Sequence, residues 1–249
     1  MFLKFTFASI IFILTLFAGV YPFRKRVKEH EHPFDFRSAE SLACGVFLGA
    51  GLLHMLNEAS MLFHDRGYHY PIAFLLCGGV FLIFLWLEHL GKEYYHHNDK
   101  HNRYFALIAV AMMSIHSILA GSALGLSDEV GMTTLIFFAI ISHKAAESFA
   151  IAVQLIKSDL SQRATAFFFL LFSSMTPLGI FLGASMISKH NDSGILIPVF
   201  SALAAGTFLY LGTLHGLEKC VLVKQCCDLK YFSFVILGFV IMAVMALYV

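Results

Sequence analysis

The chain has 249 residues, of which 59% are hydrophobic and only 13% charged. Soluble domains carry about 25% charged residues, so water is excluded as the solvent for most of this surface. The net charge of +1 gives no signal for nucleic acid, and no basic patch with interleaved aromatics occurs, so no nucleic-acid partner is expected.

A helix needs roughly 20 mainly apolar residues to span the hydrocarbon core. Eight segments qualify, at about 2–21, 39–60, 72–91, 104–126, 131–157, 163–187, 195–218 and 231–249. Their length predicts helices rather than the strands of a barrel, which need only about 10 alternating residues. The expected fold is an all-α polytopic membrane bundle in one transmembrane domain, 1–249, with no room for a soluble domain.

Segment 2–21 has a second reading as a signal peptide, with Lys4 as its n-region and Ala18-Gly19 near a cleavage site. The basic cluster Arg24, Lys25, Arg26 and Lys28 follows directly and favours retention on the cytoplasmic side. Alternate loops are unequal in charge. The loops after spans one, three, five and seven carry 13 Lys and Arg, and the opposite side carries Lys4, Arg66 and Lys189. The positive-inside rule therefore predicts both termini outside (extracellular or luminal) and the Lys92–Arg103 loop in the cytoplasm.

Span two brings Gly45 and Gly49, span four Gly121 and Gly125, span six Gly179 and Gly183. Each pair permits close helix approach without specifying a function. Cys44 and Cys77 fall in apolar runs, where a small hydrophobe suffices. With Cys220, Cys226 and Cys227 the count is odd, which does not suggest a disulfide framework. The last three lie in a cytoplasmic loop, as reduced thiols or palmitoylation sites.

Ionisable groups at membrane depth cost at least about 2.5 kcal/mol each on insertion scales. They persist when paired, hydrated or bound to an ion. In span five, His143 and Glu147 are four apart and share one helical face, which Gln154 extends. In span four, His116 and Ser117 lie near the middle. Neutral imidazole and carboxylate are good zinc ligands, and a fourth position filled by water or Ser117 suits an ion that must leave. The same residues also permit a bland hydrogen-bonded helix contact, His143 to Glu147 or His116 to Ser117. Lys144 needs a carboxylate, and Glu147 is the nearest candidate. Its ammonium either discourages a second cation or merely neutralises Glu147.

In span six, Pro177 frees the carbonyl of Ser173, so that Ser173, Ser174 and Thr176 line a cavity or the helix simply kinks. His54 and Glu58 form an entrance pair at the external end of span two. Glu88 and His89, with His215 and Glu218, form an exit at the internal ends of spans three and seven. Taken alone, each end pair is more often ordinary interfacial polarity. His96, His97, Asp99 and His101 offer a weak cytoplasmic loop site, or a solvated loop.

The ordered set of these motifs resembles the ZIP (Zrt/Irt-like) zinc and iron transporter family. It comprises residues 45–54 with Glu58-Ala59, His116-Ser117 with Gly121 and Leu124-Gly125, His143-Lys144 with Glu147, Ser174 with 176–180, and 204–210. The His-Lys pair is similar to the animal and fungal branch that includes plasma-membrane zinc importers. The resemblance implies eight spans, external termini, metal binding between spans four and five, and uptake toward the cytoplasm. It places His116, Ser117, His143 and Glu147 at family metal positions, and Lys144 where some relatives have a second-site ligand. The chain departs from the family in having Ala120, one turn after His116, where relatives usually carry Glu. It also has His215 near a position where Glu is common, and a shorter loop before span four.

The expected function is a divalent metal transporter, for Zn²⁺ with Fe²⁺ or Mn²⁺ as further cargo, without a resident cofactor. The alternative is a degenerate relative that acts as a binding or regulatory subunit, motivated by Ala120. An intramembrane metalloenzyme is disfavoured, because His-Glu-x-x-His is absent. Expected partners are the metal ion, the lipid bilayer and, at most, a second copy of the chain.

Overall fold

The computed structural model describes residues 1–28, 36–95, 101–158, 160–187, 193–213 and 229–247. Its helices are α1 (Phe2–Lys28), α2 (Arg37–Gly49), a π-helical segment (Ala50–Leu56), α3 (Asn57–Asp65), α4 (Ile72–Tyr95), α5 (His101–Leu126), α6 (Val130–Lys157), α7 (Gln162–Ile187), α8 (Ser193–Tyr210) and α9 (Leu229–Met245). Among the described residues there is no strand. Seven of these helices, with α2, the π-segment and α3 counted as one, are long and apolar enough to cross a membrane. Leu229–Met245 is an apolar helix of 17 residues and stands where the eighth span is expected.

Element boundaries differ from the expected spans in one consistent way. Apolar runs mark lipid depth, while helices continue into the flanking polar residues. α1 runs through Pro22 to Lys28 because Arg and Lys propagate a helix well. Span two continues to Asp65, where Gly67 turns the chain with φ +82°.

The expected glycine pairs do their packing between particular helices. Gly121 and Gly125 lie against the backbone at Thr176 and Ile180, while Gly179 and Gly183 lie against Ile118 and Ser122. A Cβ at any of the four would collide with a backbone carbonyl, so α5 and α7 meet at main-chain distance. Ser122 Oγ donates to the Gly179 carbonyl at 3.3 Å across this seam. Gly45 docks α2 on the Val235 carbonyl of α9 in the same way, and Gly49 lies against Met242 Cβ.

α1 packs on α6 and α7. Phe7 stacks on Phe137 with centroids 3.8 Å apart, and Ser148 Oγ donates to the Thr15 carbonyl. Lys4 Nζ donates to the Gly125 carbonyl at 2.8 Å, so a cation caps the last turn of α5. Span two is the most buried candidate span and α4 the least. The interior is thus built from span two, α5, α6 and α8, with α1, α4, α7 and α9 around them.

Candidate metal centre

Helical spacing sets the first half of the site. His143 and Glu147 stack on one face of α6, and His143 Nε2 is 3.3 Å from Glu147 Oε1. The α5–α7 glycine seam helps fix α5, which carries His116 to the same oxygen, with Nε2 at 3.4 Å. Each of the three residues offers a ligand atom, and these atoms lie within 4.8 Å of one another. All three side chains are at most 1% exposed.

The imidazole nitrogens are close to oxygen yet not hydrogen-bonded. His116 Nε2 and both ring nitrogens of His143 are buried without a hydrogen-bond partner. Leaving such an atom unsatisfied costs about 1–3 kcal/mol, and a shared cation would satisfy two of them at once.

α8 fixes the tautomer of His116. Its Nδ1 is 3.1 Å from the Ala204 carbonyl and 2.7 Å from Thr207 Oγ1. The Thr207 hydroxyl itself donates to the Ala204 carbonyl at 2.6 Å. Both neighbours of Nδ1 therefore act as acceptors, and Nδ1 carries the proton. The lone pair is left on Nε2, facing Glu147, as a metal-binding imidazole requires. Phe208 stacks under His116 at 3.7 Å and meets the His143 ring edge-on at 4.9 Å.

The other oxygen of Glu147 belongs to Lys144. Lys144 Nζ donates to Glu147 Oε2 at 2.6 Å and to Ser117 Oγ at 2.9 Å. The ammonium lies 4.8 Å over the Phe172 ring of α7. The carboxylate is thereby divided, with Oε1 toward two imidazoles and Oε2 toward an ammonium.

A model of the ZIP zinc transporter family matches residues 2–106 and 98–246. This chain belongs to the ZIP family. It is 26% identical to zinc transporter ZIP2 of Homo sapiens over 94% of both chains. It is 27% identical to zinc transporter ZIP1 of Danio rerio, over 94% of this chain and 93% of that one. Zinc transporter ZIP2 of Mus musculus is 32% identical over 57% of this chain and 47% of its own length. With its apolar helices, this ZIP chain is a multi-pass membrane protein.

The expected site residues of this ZIP chain fall into three groups. His116, His143, Glu147 and Lys144 are brought together. Ser117 is with them but stands on the ammonium side, 3.4 Å from Glu147 Oε2. Ala120 is buried in the apolar core.

Other expected residues lie apart. His54, in the π-segment, is 3.9 Å from Glu58 on the same span, and both are partly exposed. Tyr210 Oη of α8 donates to the Glu88 carboxylate, whereas His89 on the adjacent face of α4 is exposed. Adjacent helical residues point about 100° apart, which puts these two side chains on different faces of α4. Ser174 Oγ donates to Leu171 within its own helix, and Ser173 Oγ to Phe169. α7 gives the site the Phe172 ring, two residues before Ser174 and five before Pro177.

His215 and Glu218 lie outside the described residues, as do His96, His97 and Asp99. His101 opens α5, but its side chain is likewise outside the description.

Sequence reasoning assigned no role to Thr207, Phe208, Phe172 or Tyr210. A threonine and three aromatics in apolar spans look like packing, and only the neighbouring helix reveals what they touch.

Proposed function

We propose that this chain moves a divalent cation, zinc first among them, into the cytoplasm through His116, His143 and Glu147. The observation that carries this reading is one carboxylate oxygen within 3.4 Å of two imidazole nitrogens that have no hydrogen-bond partner. Two neutral nitrogens and one anionic oxygen form a three-donor set that zinc accepts, with a position left for water or for the next ligand along the path. Imidazole also suits Fe²⁺ and Mn²⁺, so these are secondary cargo.

Lys144 sets the stoichiometry in this reading. Its ammonium holds Glu147 Oε2, where a second cation would otherwise bridge the carboxylate. The site then takes one ion and needs no carboxylate at Ala120, so the departure at Ala120 does not argue for a silent relative. The Lys- and Arg-rich loops face the cytoplasm, both termini lie outside, and the plasma membrane is the proposed location. His54 and Glu58 stand at the external end, where an incoming cation meets its first imidazole and carboxylate.

The deciding experiment is radiolabelled zinc uptake into proteoliposomes of purified protein, with iron, manganese and cadmium as competitors. Saturable uptake that is lost in His143→Ala supports the reading. Purified wild-type protein with no flux above empty vesicles would overturn it.

A further inference from the structure

Each of the helices that build the metal centre continues past it into a common cavity. Met113 of α5 is three residues before His116, Ile151 of α6 is four after Glu147, and Leu211 is three after Phe208. All three line one cavity, so it begins about one helical turn, or roughly 5.4 Å, from the site. Span two closes its other wall with Cys44 and Phe47. The walls are apolar, but two polar groups face the cavity, Gln154 and Glu40.

Glu40 has a cation on it already. Lys157, the last residue of α6, places Nζ 2.6 Å from Oε1 and 2.7 Å from Oε2. The ammonium is therefore nearly equidistant from both oxygens. The pair is lopsided in burial, with Glu40 10% exposed and Lys157 46% exposed at side-chain level. The carboxylate is thus the buried partner and lines the cavity, while the ammonium reaches it from the exposed side and is not itself a lining residue. Lys157 lies ten residues beyond Glu147 on the same helix, about 15 Å along its axis. An ordinary surface ion pair would leave both partners in water, whereas this carboxylate is mostly buried and lines an apolar cavity between helices.

We propose that Glu40 is a second cation-binding carboxylate, on the release side, and that Lys157 is its resident counter-ion and the plug of the cavity. This rests on the transport reading above. A divalent ion leaving Glu147 crosses the apolar cavity, past Gln154, and meets Glu40. There it displaces the ammonium, and the parted pair opens the cavity to the side where α6 ends. The two ammoniums then act differently. Lys144 stays on Glu147 Oε2 while the ion binds at Oε1, whereas Lys157 holds both oxygens of Glu40 and must leave when a divalent ion takes them.

Cys44 reports on the cavity without any need for transport. A chain with Cys77→Ala, Cys220→Ser, Cys226→Ser and Cys227→Ser keeps Cys44 as its one thiol. In oriented vesicles, a membrane-impermeant methanethiosulfonate is applied from the side of the basic loops. Lys157→Met and Glu40→Gln are each expected to speed Cys44 modification roughly tenfold, and the exchange Glu40→Lys with Lys157→Glu to restore the slow rate. Cadmium is expected to protect Cys44 at lower concentration in Lys157→Met, and not to protect it in Glu40→Gln. Unchanged rates in both single variants overturn the proposal, and so does acceleration that the exchange fails to reverse. Zinc uptake by the wild type and its loss in His143→Ala are measured on the same vesicles. If those fail while the Cys44 pattern holds, the transport reading is at fault and the cation-gated cavity stands.

Discussion

Lys144 Nζ lies 2.6 Å from Glu147 Oε2, one helical turn away and with both side chains 1% exposed. Two opposite charges this close neutralise one another, which is how an ammonium is tolerated at membrane depth. The pair also uses only one of the two carboxylate oxygens. The other stays available to His116 and His143.

Breaking this pair from one side is expected to be costly. Glu147→Ala strands a buried ammonium, a loss of about 3–5 kcal/mol. Thermal unfolding in detergent should show Glu147→Ala well below the wild type. Lys144→Met combined with Glu147→Ala should recover most of the difference while remaining inactive in uptake. Equal instability of the single and double variants would show that the pair is not what holds the carboxylate.

Thr207→Val keeps the shape of the side chain and removes the hydroxyl that accepts from His116 Nδ1. Partners of this kind are worth roughly 10–100-fold in metal affinity. Zinc uptake by Thr207→Val should therefore show a raised KM within that range, with a smaller change in Vmax. An unaltered KM would mean that the Ala204 carbonyl alone fixes the ring.

The α5–α7 seam should be intolerant of any side chain. A Cβ on Gly179 would collide with the Ile118 backbone carbonyl, which cannot move as a flexible side chain could. Gly179→Val is expected to cost about 1–3 kcal/mol or more and to shift His116 away from Glu147. Loss of zinc binding alongside a lowered unfolding temperature is the predicted signature. The same substitution at Gly78, where a Cβ meets nothing within 4 Å, should be silent in both assays.

Stoichiometry separates the role of Lys144 from simple neutralisation. Wild-type protein is expected to bind one cadmium ion at this site. Ala120→Glu with Lys144→Met supplies a new carboxylate one turn from His116 and frees Glu147 Oε2. With both proteins carrying Glu40→Gln, so that the second proposed carboxylate is removed, equilibrium binding to the double variant should show one ion more than its Ala120, Lys144 parent. Unchanged stoichiometry would mean that the ammonium does not stand in a cation position.

The sequence by itself determined the spans, their helical nature and the members of the site that share a helix. These follow from local rules. Lipid requires each span to satisfy its own backbone, and a spacing of three or four residues puts side chains on one face. Lys144 with Glu147, and His143 with Glu147, were therefore legible in residues 143–147. What only the tertiary structure decided are the partners on other helices. His116 meets Glu147 because α5 sits beside α6, Thr207 and Phe208 back His116 from α8, and Tyr210 of α8 donates to Glu88 of α4. Glu40 and Lys157 are 117 residues apart, and neither lies in a pattern that names the other. Helical spacing repeats along every span, but which faces meet is set by where small residues let two backbones touch. That contact is a property of two surfaces together, and one segment does not specify it.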